Sequence, residues 1–193
     1  PALESNELTF VPGETYDRAS LSPEGQRLFS RSNAGGSSTE SEAMSFEVLR
    51  HCEGATLLKT ETEIRYAAPD DAGPNSITDI LVAIGGAKIG VSVTRAYRPA
   101  SIAFSDAEVQ ALLEKKFLGI NRSTARVEPA DRWVRQLLHV FVANRAASEM
   151  VTRALTRIDA QVRADTIVVL TITHGGGFVY CDPDPPLGSE CPN

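Results

Sequence analysis

Two consecutive glycines, Gly85-Gly86, set between apolar runs are the feature that most constrains this chain. Adjacent glycines supply the positive φ angles that a tight primed turn demands, so residues 76–84 and 87–95 read as a β-hairpin. With Ile84 paired to Ala87, the register follows by counting. Ile80, Val82, Ile84, Ala87, Ile89, Val91 and Val93 then share one apolar face. Ile77, Asp79, Leu81, Ala83, Lys88, Gly90, Ser92 and Thr94 share the other. In this register Asp79 stands opposite Ser92, with Thr94 one step along the same face.

The flanking sequence supplies the other elements. Thr39-Glu40-Ser41-Glu42 has the form of a capping box, and Met44, Val48, Leu49 and Cys52 recur on one helical face, which predicts a helix over about 41–53. Residues 56–66 alternate as a half-exposed strand does: Leu58, Thr60, Thr62, Ile64 and Tyr66 on one face, Lys59, Glu61, Glu63 and Arg65 on the other. Ser105-Asp106-Ala107-Glu108 is a second capping box. Val109, Leu112, Leu113 and Phe117 follow at helical spacing, with Gly119 as the stop. Residues 137–143 suit either a buried strand or a helix running on from Trp133, because periodicity alone does not separate the two. Asn144 caps a helix whose apolar face is Ala147, Met150, Val151, Ala154, Leu155, Ile158 and Val162. Residues 166–173 read as a second buried strand and 178–181 as a short edge strand.

The resulting order is helix, three meandering strands, helix, strand, helix, strand. It predicts an α/β fold with a mixed sheet sandwiched by helices, an antiparallel meander followed by helical crossovers. Residues 39–181 form the predicted domain. Residues 1–38, punctuated by Pro1, Pro12 and Pro23 and closed by the linker Asn33-Ala34-Gly35-Gly36-Ser37-Ser38, read as an N-terminal arm with one short helix at Pro23–Ser30. Residues 182–193 read as a C-terminal tail.

Composition bounds the function. At 193 residues, 42% hydrophobic and 23% charged, the chain is a globular domain with ample material for a core. No apolar run approaches the roughly 20 residues a membrane span needs. The chain opens on Pro1, so a removed leader would leave no trace. Nineteen Lys and Arg against 25 Asp and Glu give a net charge of −6, so any nucleic-acid role must rest on a local patch. Lys115, Lys116, Asn121, Arg122, Ser123, Thr124 and Arg126, with Arg95 and Arg98 beyond the hairpin, would gather cations and hydroxyls suited to phosphate. The bland alternative is that lysines late in a helix complement its dipole. Cys181 and Cys191 either close a late loop or are, with Cys52, the reduced thiols of an intracellular protein. Asn121-Arg122-Ser123 is a glycosylation sequon only if the chain is secreted.

Two motif matches fail on context. His174-Gly175-Gly176-Gly177-Phe178 resembles an esterase oxyanion tetrad but has no nucleophile elbow after it, and the glycines are better read as turning the chain. Gly85-Gly86 joins strand to strand, not strand to helix, so it is no phosphate loop. His51, His139 and His174 lack the close spacing of a local metal site and read as packed or capping residues.

The hairpin cluster carries more. A helix, three antiparallel strands, and an acid on the second strand facing the third resemble the PD-(D/E)XK, or restriction-endonuclease-like, nuclease superfamily over roughly residues 41–173. The resemblance implies that Asp79 holds a divalent cation, Mg²⁺ for such a site, together with a Glu on the third strand. It further implies a Lys two residues on that activates the attacking water. Here Ser92 stands in the Glu position and Thr94 in the Lys position, so the geometry is kept and the charges are not. Three readings follow. The site is degenerate, leaving a scaffold that binds protein or nucleic acid across a rim of Lys88, Arg95, Lys115, Lys116 and Arg122. Alternatively, an acid has moved: Glu63, with Glu61, Lys59 and Glu47, rebuilds a phosphodiesterase site beside Asp79. In the third reading the chain is structural or oligomerising, and its charged strand face is a solvated one with cross-strand ion pairs.

Overall fold

The computed structural model describes residues 2–11, 17–30, 39–68, 75–99, 102 and 104–180. One six-stranded mixed sheet organises them, in the order β1-β6-β5-β4-β3-β2. The strands are β1 (Leu3–Thr9), β2 (Thr56–Thr60), β3 (Ile80–Ile84), β4 (Ala87–Arg95), β5 (Arg135–Val142) and β6 (Ile167–His174). The helices are α1 (Pro23–Ser30), α2 (Thr39–Glu53), α3 (Asp106–Arg126), α4 (Arg145–Arg157) and the single turn α5 (Ala160–Arg163). This is the expected α/β class, with β2, β3 and β4 antiparallel and β4, β5, β6 and β1 mutually parallel.

The β3–β4 hairpin has the register that counting gives. Ile84 pairs with Ala87 and Ile80 with Val91, around Gly85 at φ 56° and Gly86 at φ 82°. Its apolar face (Ile80, Val82, Val91, Val93) packs with Phe46 and Leu49 of α2. On the opposite face of the sheet, Leu138, Val140, Leu170 and Ile172 meet Leu113 and Phe117 of α3 and Val151 of α4. A third, smaller cluster joins Leu81 to Trp133, Val127 and Ile64. Gly90 leaves room for it: a Cβ there would lie 2.8 Å from the Trp133 ring.

Several boundaries differ from the sequence reading. Leu3–Thr9, read as part of an arm, is the edge strand beside β6. Its side chains are mostly exposed, so no apolar alternation marks it. The strand expected over 56–66 stops at Thr60. Glu63 accepts from the Thr60 N–H at 3.0 Å and turns Glu61–Glu63 into a 3-10 turn. α3 runs through Gly119 to Arg126, because Ile120 and Ser123 continue its buried face. The glycine opposes Ser76 without strain. Gly177–Tyr180 forms a 3-10 turn instead of an edge strand, after Gly175 and Gly176 reverse the chain at φ 82° and 67°. The linker at 33–38, Cys181, Cys191 and the tail lie outside the described residues. No described helix is long and apolar enough to cross a membrane.

A polar chain crosses the apolar layer between α2 and the sheet. Ser45 Oγ lies 2.8 Å from His139 Nδ1, His139 Nε2 lies 2.7 Å from Thr171 Oγ1, and Thr171 Oγ1 donates to Asn6 Oδ1 at 2.7 Å. The directions fix one another. Because Thr171 gives its proton to Asn6, it accepts from a His139 Nε2–H, and Nδ1 accepts from Ser45. Complete burial is what keeps the imidazole neutral, and with it Nδ1 an acceptor, by holding its pKa down to about 3.

In the unfolded chain this histidine titrates near its ordinary 6.5. Between that value and about 3 the unfolded state binds the extra proton, so His139 contributes stability that is complete above pH 6.5 and falls in acid. Urea midpoints measured between about pH 6 and 4.5 are expected to fall more steeply for the wild type than for His139→Gln. The expected difference is about 1.4 kcal/mol per pH unit, the equivalent of one proton.

Candidate functional site at the β3–β4 fork

β4 continues past the point where β3 begins, and the fork between them holds Asp79. In the hairpin ladder Ile80 is the last residue of β3 to pair, with Val91. The next outward-facing peptide groups on β4, those of Val93, lack a strand partner on that side. Two side chains take its place. Asp79 Oδ2 accepts from the Val93 N–H at 2.6 Å, and Lys116 Nζ of α3 donates to the Val93 carbonyl at 2.8 Å. Asp79 and Lys116 thus bracket the backbone of one residue, Val93, as an anion and a cation. Burial pushes the Asp79 carboxyl above its ordinary range, while the Lys116 charge and the Val93 N–H pull it back.

Below the fork the lining is polar and tied. Thr78 Oγ1 lies 3.0 Å from Ser123 Oγ, the Thr78 N–H donates to Tyr66 Oη at 2.8 Å, and Arg122 Nε donates to Ser76 Oγ at 3.1 Å. Gln136, with its amide turned to suit its neighbours, donates to the Gly90 carbonyl and accepts from Trp133 Nε1. Ser92 and Thr94 lie on the α3 side of β4, only 4% and 7% exposed. These two positions are therefore covered by the chain itself.

The other candidate residues are held elsewhere. Glu63 pairs with Arg27 of α1 at 2.5 Å. Lys59 pairs with Asp131 at 2.7 Å. Burial acts to raise Asp131, but hydrogen bonds from Lys59 and the Arg65 N–H keep its carboxyl below the ordinary range. Glu47 accepts from the N–H and hydroxyl of Ser22, at 2.8 and 2.6 Å, at the start of α1. Glu63 and Glu47 are thus bound into the α1 side of the molecule, away from the α3 side that carries Asp79. Among the described residues no group of three His, Cys, Asp or Glu side chains comes together as a metal site.

The basic rim is also dispersed. Lys116, Asn121, Arg122 and Arg126 sit inside α3, not in a loop after it. Asn121 Nδ2 donates to the Val162 carbonyl, Arg126 to the Ala67 carbonyl, and Arg98 pairs with Glu108 at 3.1 Å. Lys88 Nζ donates to the Ala130 carbonyl at 2.6 Å. Lys115 is exposed on α3, while Arg95 is half-buried at the end of β4. Sequence reasoning found Lys116 as a phosphate contact and missed it as the partner of Asp79. The signal was its place one helical turn from Leu112 and Leu113, on the part of α3 that meets the sheet.

No family model matches the chain. It is 37% identical over 168 residues to the AAC-rich mRNA clone AAC4 protein of Dictyostelium discoideum. That match takes in 83% of this chain, which spans 24% of the length of that curated relative. Among solved structures, Pyrococcus furiosus SfsA in complex with Ca²⁺ matches 69% of this chain and 57% of its own, at 16% identity and a TM-score of 0.35. The fold described above stands on its own strand order.

The bracket at Val93 separates two substitutions. Asp79→Ala leaves a buried N–H without an acceptor and Lys116 without its counter-charge, and is expected to lower unfolding free energy by about 2–4 kcal/mol. Asp79→Asn retains an amide oxygen for Val93 and removes the buried charge. It is expected to recover at least about half of that loss in urea unfolding.

Proposed function

We propose that this chain is a nuclease-like scaffold whose metal site is degenerate, and that it binds a protein partner without cleaving nucleic acid. The observation that carries this reading is the engagement of Asp79. Its carboxylate closes the Val93 N–H, and the charge beside it is the ammonium of Lys116. The resemblance to the PD-(D/E)XK superfamily is supported by the meander β2–β3–β4 after α2 and by an acid entering β3 opposite β4.

The donor set does not fit Mg²⁺. Such a cation takes oxygen ligands from one or two carboxylates plus phosphates. Asp79 is a single carboxylate with one oxygen already hydrogen-bonded and a lysine close enough to repel a cation. Ser92 and Thr94, in the positions of the Glu and Lys, are buried hydroxyls. A protein partner is favoured over nucleic acid by the net charge of −6 and by the structural ties of Lys88, Lys116, Arg122 and Arg126.

Titration calorimetry of Mg²⁺ and of Mn²⁺ into wild type and Asp79→Asn tests the reading. We expect no Asp79-dependent heat from either protein and no cleavage of single-stranded DNA, duplex DNA or RNA in the presence of either metal. Saturable binding lost in the variant, together with cleavage, would overturn it in favour of a metal-dependent phosphodiesterase.

A further inference from the structure

The edge of the sheet formed by β1 carries a groove remote from Asp79. Phe10 N–H donates to the His174 carbonyl, and Val168 N–H donates to the Ala2 carbonyl. By alternation, the even-numbered residues of β1 bond to β6, and the N–H and C=O groups of Leu3, Ser5, Glu7 and Thr9 face outward. Among the described residues no strand pairs with that outer edge. α4 packs over β5 and β6.

Two cavities follow the strand beneath α4, with Thr152 lining both. The larger, about 550 Å³, has Ser5, Glu7, Arg145 and Ser148 along its wall. The smaller, about 170 Å³, lies at the start of β1 among Leu3, Leu155 and Val168, with Thr156 and Arg163 beside them. Their charges differ. In the larger cavity Arg145 and Glu7 answer each other at 3.3 Å, and Arg153 is held by Asp106. In the smaller one Arg163 has no acidic partner among the described residues, and its Nε has no hydrogen-bond acceptor.

From this arrangement we infer that the β1–α4 groove receives the C-terminal segment of a partner protein as a seventh, antiparallel strand. The last residue of that segment places an apolar side chain in the small cavity and its free carboxylate beside Arg163. Charge sets the direction. A strand antiparallel to β1 ends at Leu3 and brings an anion to Arg163, whereas a parallel one begins there and brings a cation. The ladder supplies affinity through the outward groups of Leu3, Ser5, Glu7 and Thr9, and the pocket at the end supplies selectivity. The inference gives a partner class to the binding role proposed above. It rests on a different face, so its failure would leave the reading of Asp79 intact, and metal-dependent cleavage would leave the groove intact.

The probe is a library of random octapeptides with free C-termini, selected on the full chain, followed by fluorescence polarisation of the enriched sequences. Enrichment of Leu, Ile, Val or Phe at the last position is expected. Amidating the peptide C-terminus, or Arg163→Glu, should weaken binding about tenfold or more. Ser5→Pro removes one outward N–H without touching a bond to β6 and should do the same. Circular dichroism and urea midpoints confirm that both variants fold. Three results would overturn the inference: no selection at the last position, binding indifferent to amidation, or binding kept by both folded variants. A dimer that Ser5→Pro converts to monomer would also overturn it, by assigning the edge to a second copy.

Discussion

The hydrogen-bonded chain from Ser45 through His139 and Thr171 to Asn6 is the constraint on which the layers depend. It starts on α2, crosses β5 and β6, and ends on β1, so it joins one helical layer to three adjacent strands. Its buried groups are expensive to leave unpaired, and a low-dielectric surrounding strengthens each bond only while all are made. A shift of β1 by one residue would carry Asn6 to the opposite face and leave the Thr171 proton without an acceptor. The network therefore selects the register of a strand whose own side chains are too exposed to select it by packing. His139 also stacks on Phe141 at 4.3 Å, which ties the polar chain to the apolar cluster around it.

That arrangement explains what could be read from the sequence. The hairpin was legible because two glycines and two alternating runs specify turn, register and face together, and Ile84 does pair with Ala87. α3 and α4 were legible from their caps: Ser105 and Glu108 close a capping box, and Asn144 accepts from the Ala147 N–H. β1 was not, because an edge strand held by backbone pairing and one half-buried amide, that of Asn6, has no need of apolar alternation. The early end of β2 was hidden for a related reason. Alternation continues through residues 61–66, but Glu63 caps Thr60 and pairs with Arg27, a contact with α1 that lies 36 residues away in sequence.

At the fork, the sequence supplied Asp79 and its position opposite β4, and it suggested a search for missing charges among Glu61, Glu63 and Glu47. The charge that comes to Asp79 is instead a lysine from α3. Long-range pairing of this kind is invisible to spacing rules, since Lys116 looks like any lysine on the surface of a helix. Asp79 and Lys116 complete a ladder that loses its partner where β3 ends. A carboxylate and an ammonium on either side of Val93 satisfy its N–H and its C=O by charge-assisted hydrogen bonds, the stronger kind. The same pair in an active nuclease-like site would have to release Val93 to engage anything else, and that release exposes a buried donor and acceptor at once.

The two edges of the sheet are managed differently, and the difference bears on function. β2 is five residues long, is irregular between Leu57 and Lys59, and receives Arg27 of α1 near the Leu58 carbonyl. Short length, a register break and a covering cation are devices that stop a strand from templating another. β1 is seven residues long and pairs without a break in register, with Glu4 and Glu7 as its charges. An edge that is regular and held in register by Asn6 keeps its outward N–H and C=O groups in the spacing that a further strand needs.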